Sequence, residues 1–161
     1  MEKRSETTLH GTQIKSAPED QRRVVVRYID GSTLRGFITL ADVEKLNKNA
    51  WESVHVRKTD GEMELVHMEG IKAIFFVKTF EGSRHYSEFK VFTNQPNGKG
   101  VWVRVQFHDG EIMEGVASNS LATYSHVVFS LTPPDPQSNN QSVLVSKLGL
   151  REMQILGLAT D

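Results

Sequence analysis

The 161-residue chain contains no cysteine. Disulfide bridges and thiolate metal sites are thereby excluded, which accords with a reducing interior. Neither sign of charge dominates, since 19 Lys and Arg stand against 20 Asp and Glu. A surface that coats nucleic acid indiscriminately would need a strong basic excess, so nucleic acid is not an expected partner. No run of apolar residues approaches the length of a membrane helix, and Met1 to Arg23 hold no apolar core suited to a secretion signal. The expectation is a cytoplasmic protein without membrane association. The six histidines (His10, His55, His67, His85, His108 and His126) form no HExxH, HxH or HxxxH pairing, and a lone strand histidine such as His55 or His67 is more often a hydrogen-bonded structural residue than a ligand. A nucleophile elbow and a phosphate-binding glycine loop are also missing. No enzyme, cofactor or metal is expected.

What the chain does have is an echo. RYIDGSTLRGF at 27 to 37 returns 79 positions later as QFHDGEIMEGV, aligning Asp30-Gly31 with Asp109-Gly110 and Gly36 with Gly115. The same offset pairs LVHMEGIKAIFFV (65 to 77) with LVSKLGLREMQIL (144 to 156) without a gap, so Gly70 matches Gly149. Between these ends the copies differ only in loops: ADVEKLNKNAWES lengthens the first, PPDPQSNNQS the second. A shared scaffold with two differently built rims is the pattern of a duplicated unit.

Each copy reads as five short strands. The first gives RVVVRYI, TLRGFITL, SVHVRK, MELVHM and IKAIFFV; the second gives VWVRVQF, IMEGVAS, HVVFSL, SVLVSK and REMQILG. Asp-Gly between β-branched runs is a strong hairpin signal, and glycine inside the second strand marks a bulge or sharp bend. The expected fold is all-β, a tandem pair of small five-stranded SH3-like or Sm-like barrels packed together. Residues 1–21 are expected to form a flexible tail, 22–80 the first barrel, 81–100 a connector and 101–158 the second barrel. ADVEKLN allows a helical turn or two with Asp42 as its cap. Tyr86, Phe89 and Phe92 in the connector are expected to glue the halves.

AIFFVKTFEG (73 to 82), the Asp-Gly hairpins and PPDPQSNN (133 to 140) together resemble an uncharacterised bacterial family that carries this tandem unit, with some members beside PilZ or signalling domains. The resemblance spans about residues 22 to 157 and implies fold and bacterial origin, with no activity attached. A more distant similarity to Sm-like proteins rests on Gly36 followed six residues later by Asp42. Where those proteins place a basic residue before a glycine, this chain has Glu69-Gly70 and Leu148-Gly149, and an acid there repels phosphate.

The candidate sites are few. PPDPQSNN concentrates three of the five prolines, a stiff frame from which Asp135, Gln137, Asn139 and Asn140 could present polar groups at small entropic cost; the alternative is a loop using these side chains to complete its own backbone hydrogen bonds. In AIFFVKTF the apolar character of both faces means a doubly covered strand, with Phe75 turned to the sister barrel or to a partner. Arg23, Arg27 and Ser32 form a fragment similar to the cyclic-dinucleotide motif of PilZ domains, though only Tyr28 and Ile29 separate its two parts, and outward-facing strand arginines are the favoured explanation. The favoured reading is a non-enzymatic binding module, a bacterial protein-interaction or signalling adaptor. An Sm-like RNA-binding or PilZ-like cyclic-dinucleotide protein is the alternative.

Overall fold

The computed structural model describes residues 20–48, 52–82 and 88–160; most of the expected tail, and Tyr86, lie outside them. Ten strands follow the ten apolar runs. The first half contains β1 (Gln21–Tyr28), β2 (Thr33–Thr39), β3 (Ser53–Lys58), β4 (Met63–His67) and β5 (Ile71–Val77). The second contains β6 (Val101–Phe107), β7 (Ile112–Ala117), β8 (Val128–Leu131), β9 (Asn140–Ser146) and β10 (Leu150–Leu158). Two short helices, α1 (Leu40–Asn47) and α2 (Leu121–Ser125), follow β2 and β7. Thr39 rather than Asp42 caps α1, its Oγ1 accepting the Asp42 N–H at 3.2 Å. Asp42 instead lies in the first turn, where a negative charge suits the helix dipole.

The hairpins at 28–32 and 107–111 repeat one another bond for bond. Gly31 and Gly110 take φ of 91° and 90°, the left-handed region where glycine carries no Cβ penalty. Ser32 N–H donates to Asp30 at 2.8 Å and Glu111 N–H to Asp109 at 3.0 Å. Ile29 N–H reaches Gly70 O at 2.8 Å, and His108 N–H reaches Gly149 O at 3.0 Å. Gly36 and Gly115 do the same task in each half, since a Cβ would sit 2.4 Å from Arg57 O in one and 2.8 Å from Thr132 O in the other.

The strands do not close into barrels as expected. They form an antiparallel seven-stranded sheet, β4-β3-β2-β1-β5-β9-β8, and a three-stranded one, β10-β6-β7, joined by a bridge between Val116 and Thr132. The physical reason is the choice of partner for β5. Rather than turning its second edge to β4 of its own half, it pairs with β9 of the other, in a register that sets Ala73 opposite Val145, Ile74 opposite Leu144 and Phe75 opposite Val143. β5 therefore serves two cores. Ile74 packs with Val24, Val26, Val56 and Leu144, whereas Phe75 packs with Val103, Val105, Phe107 and Val143. Lys72, at the head of β5, reaches from the first half to Asp109 at 2.6 Å and Glu111 at 2.5 Å in the second-half hairpin. No helix among the described residues is long and apolar enough to cross a membrane.

Candidate functional site

A groove with a volume of about 720 Å³ opens on the outward face of the first half. Strand alternation builds it: Val24 and Val26 enter the core, so Val25 and Arg27 of β1 look the other way. Arg35 of β2 pairs across from Val25, as does Phe75 of β5, which brings these side chains to one face. The segment 78–82 and Gln137, Asn139 and Asn140 complete the rim. Phe75 is only 2% exposed. It forms the floor, under the Arg27 guanidinium at 4.5 Å, and is not a protruding contact for a partner.

The groove is polar at its rim and cationic on its β1–β2 wall. Arg27 is held loosely at its far side, 3.7 Å from Glu111. The Arg35 side chain is exposed and makes no hydrogen bond or ion pair among the described residues. Arg23 donates to Lys78 O and lies 5.4 Å from the Phe80 ring centroid, so it braces the segment after β5. Ser32 donates its hydroxyl to Asp30 at 2.6 Å, a bond that holds the Asp30 carboxyl below its usual range; within the PilZ-like fragment, Ser32 is thus engaged in its own hairpin.

The PPDPQSNN loop turns most of its polar groups inward. Asp135 is 3% exposed and accepts the Gln137 N–H at 3.0 Å, an Asx-turn. Asn139 clamps Thr79 from both directions, its Oδ1 accepting the Thr79 N–H at 3.0 Å and its Nδ2 donating to Thr79 O at 2.8 Å. Asn140 donates to Glu88 at 3.4 Å. Of the four polar residues singled out from the sequence, Gln137 alone is fully exposed. The loop therefore ties down residues 78–82 and 88, and shapes one rim of the groove through them.

The equivalent face of the second half is filled. Glu114 stands 79 positions after Arg35, and it is 1% exposed. Its carboxylate accepts Trp102 Nε1–H at 2.8 Å, Arg104 Nε–H at 3.0 Å and the Phe92 N–H at 3.2 Å. Its own N–H donates to Lys90 O at 2.9 Å, and Phe92 meets Trp102 edge-to-face at 6.0 Å. The connector around Lys90 and Phe92 is thus laid against β7. Sequence reasoning missed Glu114 because a single carboxylate in a strand carries no mark of burial; the signal available was its outward register beside Trp102 and Arg104. No group of three or more His, Cys, Asp or Glu that could hold a metal occurs among the described residues.

The fold and this face define a mostly-β protein of antiparallel sheets with an open groove on one half. Residues 20–157 match a family of unknown function, DUF6982, and the chain belongs to it. Neither the curated proteins nor the solved structures offer a match.

Proposed function

We propose that this chain is a non-catalytic protein-interaction module, a bacterial cytoplasmic adaptor in which two open SH3-like or Sm-like units are arranged in tandem, and that the first-half groove binds an extended peptide of a partner protein. The observation that carries this is the contrast between positions 35 and 114. Where Glu114 gathers the chain's own connector, Arg35 faces an open groove with an apolar floor. The second half supplies the template for the ligand: a peptide segment with an aromatic side chain, as at Phe92. The change from Glu to Arg supplies its charge. A carboxylate beside an apolar or aromatic residue is what Arg35 and Arg27 above Phe75 would select.

Selection of a displayed library of unstructured peptides against the protein tests this. Enriched sequences should pair Asp or Glu with an aromatic or aliphatic residue, bind less well as salt rises, and lose about tenfold or more in affinity with Arg35→Glu, equivalent to ~1.4 kcal/mol. Enrichment indifferent to Arg35 would sink the reading. The alternative, a cyclic dinucleotide held by Arg23 and Arg27, draws on their common face of β1. Under it, c-di-GMP at a hundred times its dissociation constant should stabilise the protein by about 2.7 kcal/mol, with the gain lost in Arg23→Ala. An unchanged melting temperature favours the peptide.

A further inference from the structure

The pairing of β5 with β9 has an unfilled counterpart. Displaced by 79 positions, β5 becomes β10 and β9 becomes β4; each ends one sheet of the described residues with one edge unpaired, whereas the opposite ends, β7 and β8, are bridged to one another at Val116 and Thr132. We propose that β10 of one copy of this chain pairs antiparallel with β4 of a second copy, so that molecules join head to tail through the same contact that joins the two halves of each. The inference rests on the tandem-unit reading proposed above, applied to a different surface from the groove.

Four observations support it. First, the register transfers. Ile74 opposite Leu144 and Phe76 opposite Ser142 become Met153 opposite Leu65 and Ile155 opposite Met63, two apolar pairs on edges that a monomer would be expected to guard with lysine or proline. Leu144 is 4% exposed in its pairing, whereas Leu65 is 44%, Met63 59% and Ile155 47% exposed.

Second, the strands have the same irregularity. A bulge skips Lys72 where β5 meets β1, with Arg27 opposite Ala73 and Tyr28 opposite Ile71; the equivalent bulge skips Arg151 where β10 meets β6, with Gln106 opposite Glu152 and Phe107 opposite Leu150. Third, the charges correspond. Lys72 on its bulge reaches Asp109 across the halves. Arg151 on its bulge would meet Asp30 of the next copy, and within one chain Arg151 is exposed, with no ion pair among the described residues.

The fourth observation is Gly70. Its counterpart Gly149 must be small, because a Cβ there would lie 3.2 Å from the Lys72 backbone of the other half. At Gly70 an added Cβ meets nothing nearer than the Tyr28 ring at 3.9 Å, and its φ is not in the left-handed region. Nothing among the described residues requires glycine at 70. The Arg151 backbone of a second copy, placed as Lys72 is placed over Gly149, would require it. A heterologous contact of this kind yields a closed ring or an open fibre according to whether the rotation closes.

Sedimentation equilibrium of the full chain, from low to high micromolar concentration, tests the proposal. The weight-average mass of the wild type should rise with concentration. Leu65→Lys blocks β4 and Ile155→Lys blocks β10; each alone should remain monomeric with an unchanged circular dichroism spectrum and melting temperature, while an equimolar mixture should form a one-to-one dimer, because each variant keeps the edge the other lacks. Since the chain has no cysteine, mixing Met63→Cys with Ile155→Cys should give a single cross-linked dimer under mild oxidation. Gly70→Val should weaken association about tenfold or more without loss of stability. A wild type that stays monomeric throughout, or associates undisturbed by Leu65→Lys, overturns the inference and leaves the tandem reading untouched, since β5 and β9 are unaltered. An experimental structure whose halves fail to superpose would remove the tandem reading itself.

Discussion

Arg35 and Glu114 occupy the same place in the two halves and have opposite surroundings. One is exposed at the wall of a groove; the other is buried under the connector with four donors from three residues converging on it. The same register in the second strand, Arg35 opposite Val25 and Glu114 opposite Arg104, thus carries a structural face in one half and an open one in the other, and the difference lies in which part of the chain covers the outward side of that strand. A buried carboxylate is costly unless fully paired, so the Glu114 network shows that the second-half face is committed to the connector. The first-half face has no such commitment at Arg35.

The largest effect should come from the residue shared by both halves. Phe75→Ala removes a ring that a first-half strand buries in the second-half core, at a cost of about 3–5 kcal/mol. Hydrogen exchange should report lost protection in residues 24–40 and 101–117 together; loss confined to the first segment would mean that the halves are energetically separate. Next, Glu114→Ala should cost roughly 2–4 kcal/mol in urea unfolding, since it strips buried donors of a charged acceptor, whereas Arg35→Ala should stay within about 0.5 kcal/mol. Equal costs at the two positions would erase the distinction between a committed and an open face.

Gly149→Ala should cost about 1–2 kcal/mol by crowding Lys72, and Gly70→Ala should be near neutral in dilute protein. Melting temperatures of the two variants check this directly. The smallest effect concerns pH. The Lys72 hydrogen bond holds Asp109 below its ordinary range. Burial pushes Glu111 up, but the bonds from Lys72 and Lys90 outweigh it and leave Glu111 low as well. Both carboxylates therefore contribute stability that is present above their ordinary values, near pH ~4, and is lost as pH falls through the lower folded values. Lys72→Met should flatten this acid limb. A urea midpoint that falls between pH 5 and 3 as steeply in the variant as in the wild type would show that other carboxylates govern it.

Much of the scaffold was legible in the chain itself. The ten strands follow from alternating β-branched and aromatic runs and the hairpins from Asp-Gly, whereas the glycines inside the second strands, expected to mark a bulge or bend, instead allow close approach to Arg57 and Thr132. The pairing of strands was not legible, because period-two alternation specifies which face a side chain takes and is silent on which edge meets which. That is why closed barrels were expected where β5 instead crosses to β9. AIFFV did announce two covered faces, and the second cover is the Phe107 and Val143 core. In the PPDPQSNN loop the polar side chains were visible but their direction was not; a carboxylate two residues before a free N–H folds back on it as readily as it faces solvent. Arg27 was identified for a nucleotide motif, and its place over Phe75 in the groove was not legible from that motif. Arg35 gave no sign at all, since an exposed strand arginine gains meaning only from its counterpart.

The sharing of β5 also bears on how the protein is made. Ala73 pairs with Val145, so a growing chain that has finished the first half must wait for roughly seventy further residues before that edge finds its partner. At ~5–20 residues per second this interval is about 4–14 s. Throughout it Phe75 lacks its core and β5 offers an unpaired, apolar edge on the ribosome. Neighbouring ribosomes on one message would display identical edges side by side. Slow translation between codons 80 and 140 should therefore increase misassembly between nascent chains, and synthesis of the second half first, by circular permutation, would move the exposed interval from β5 to β9.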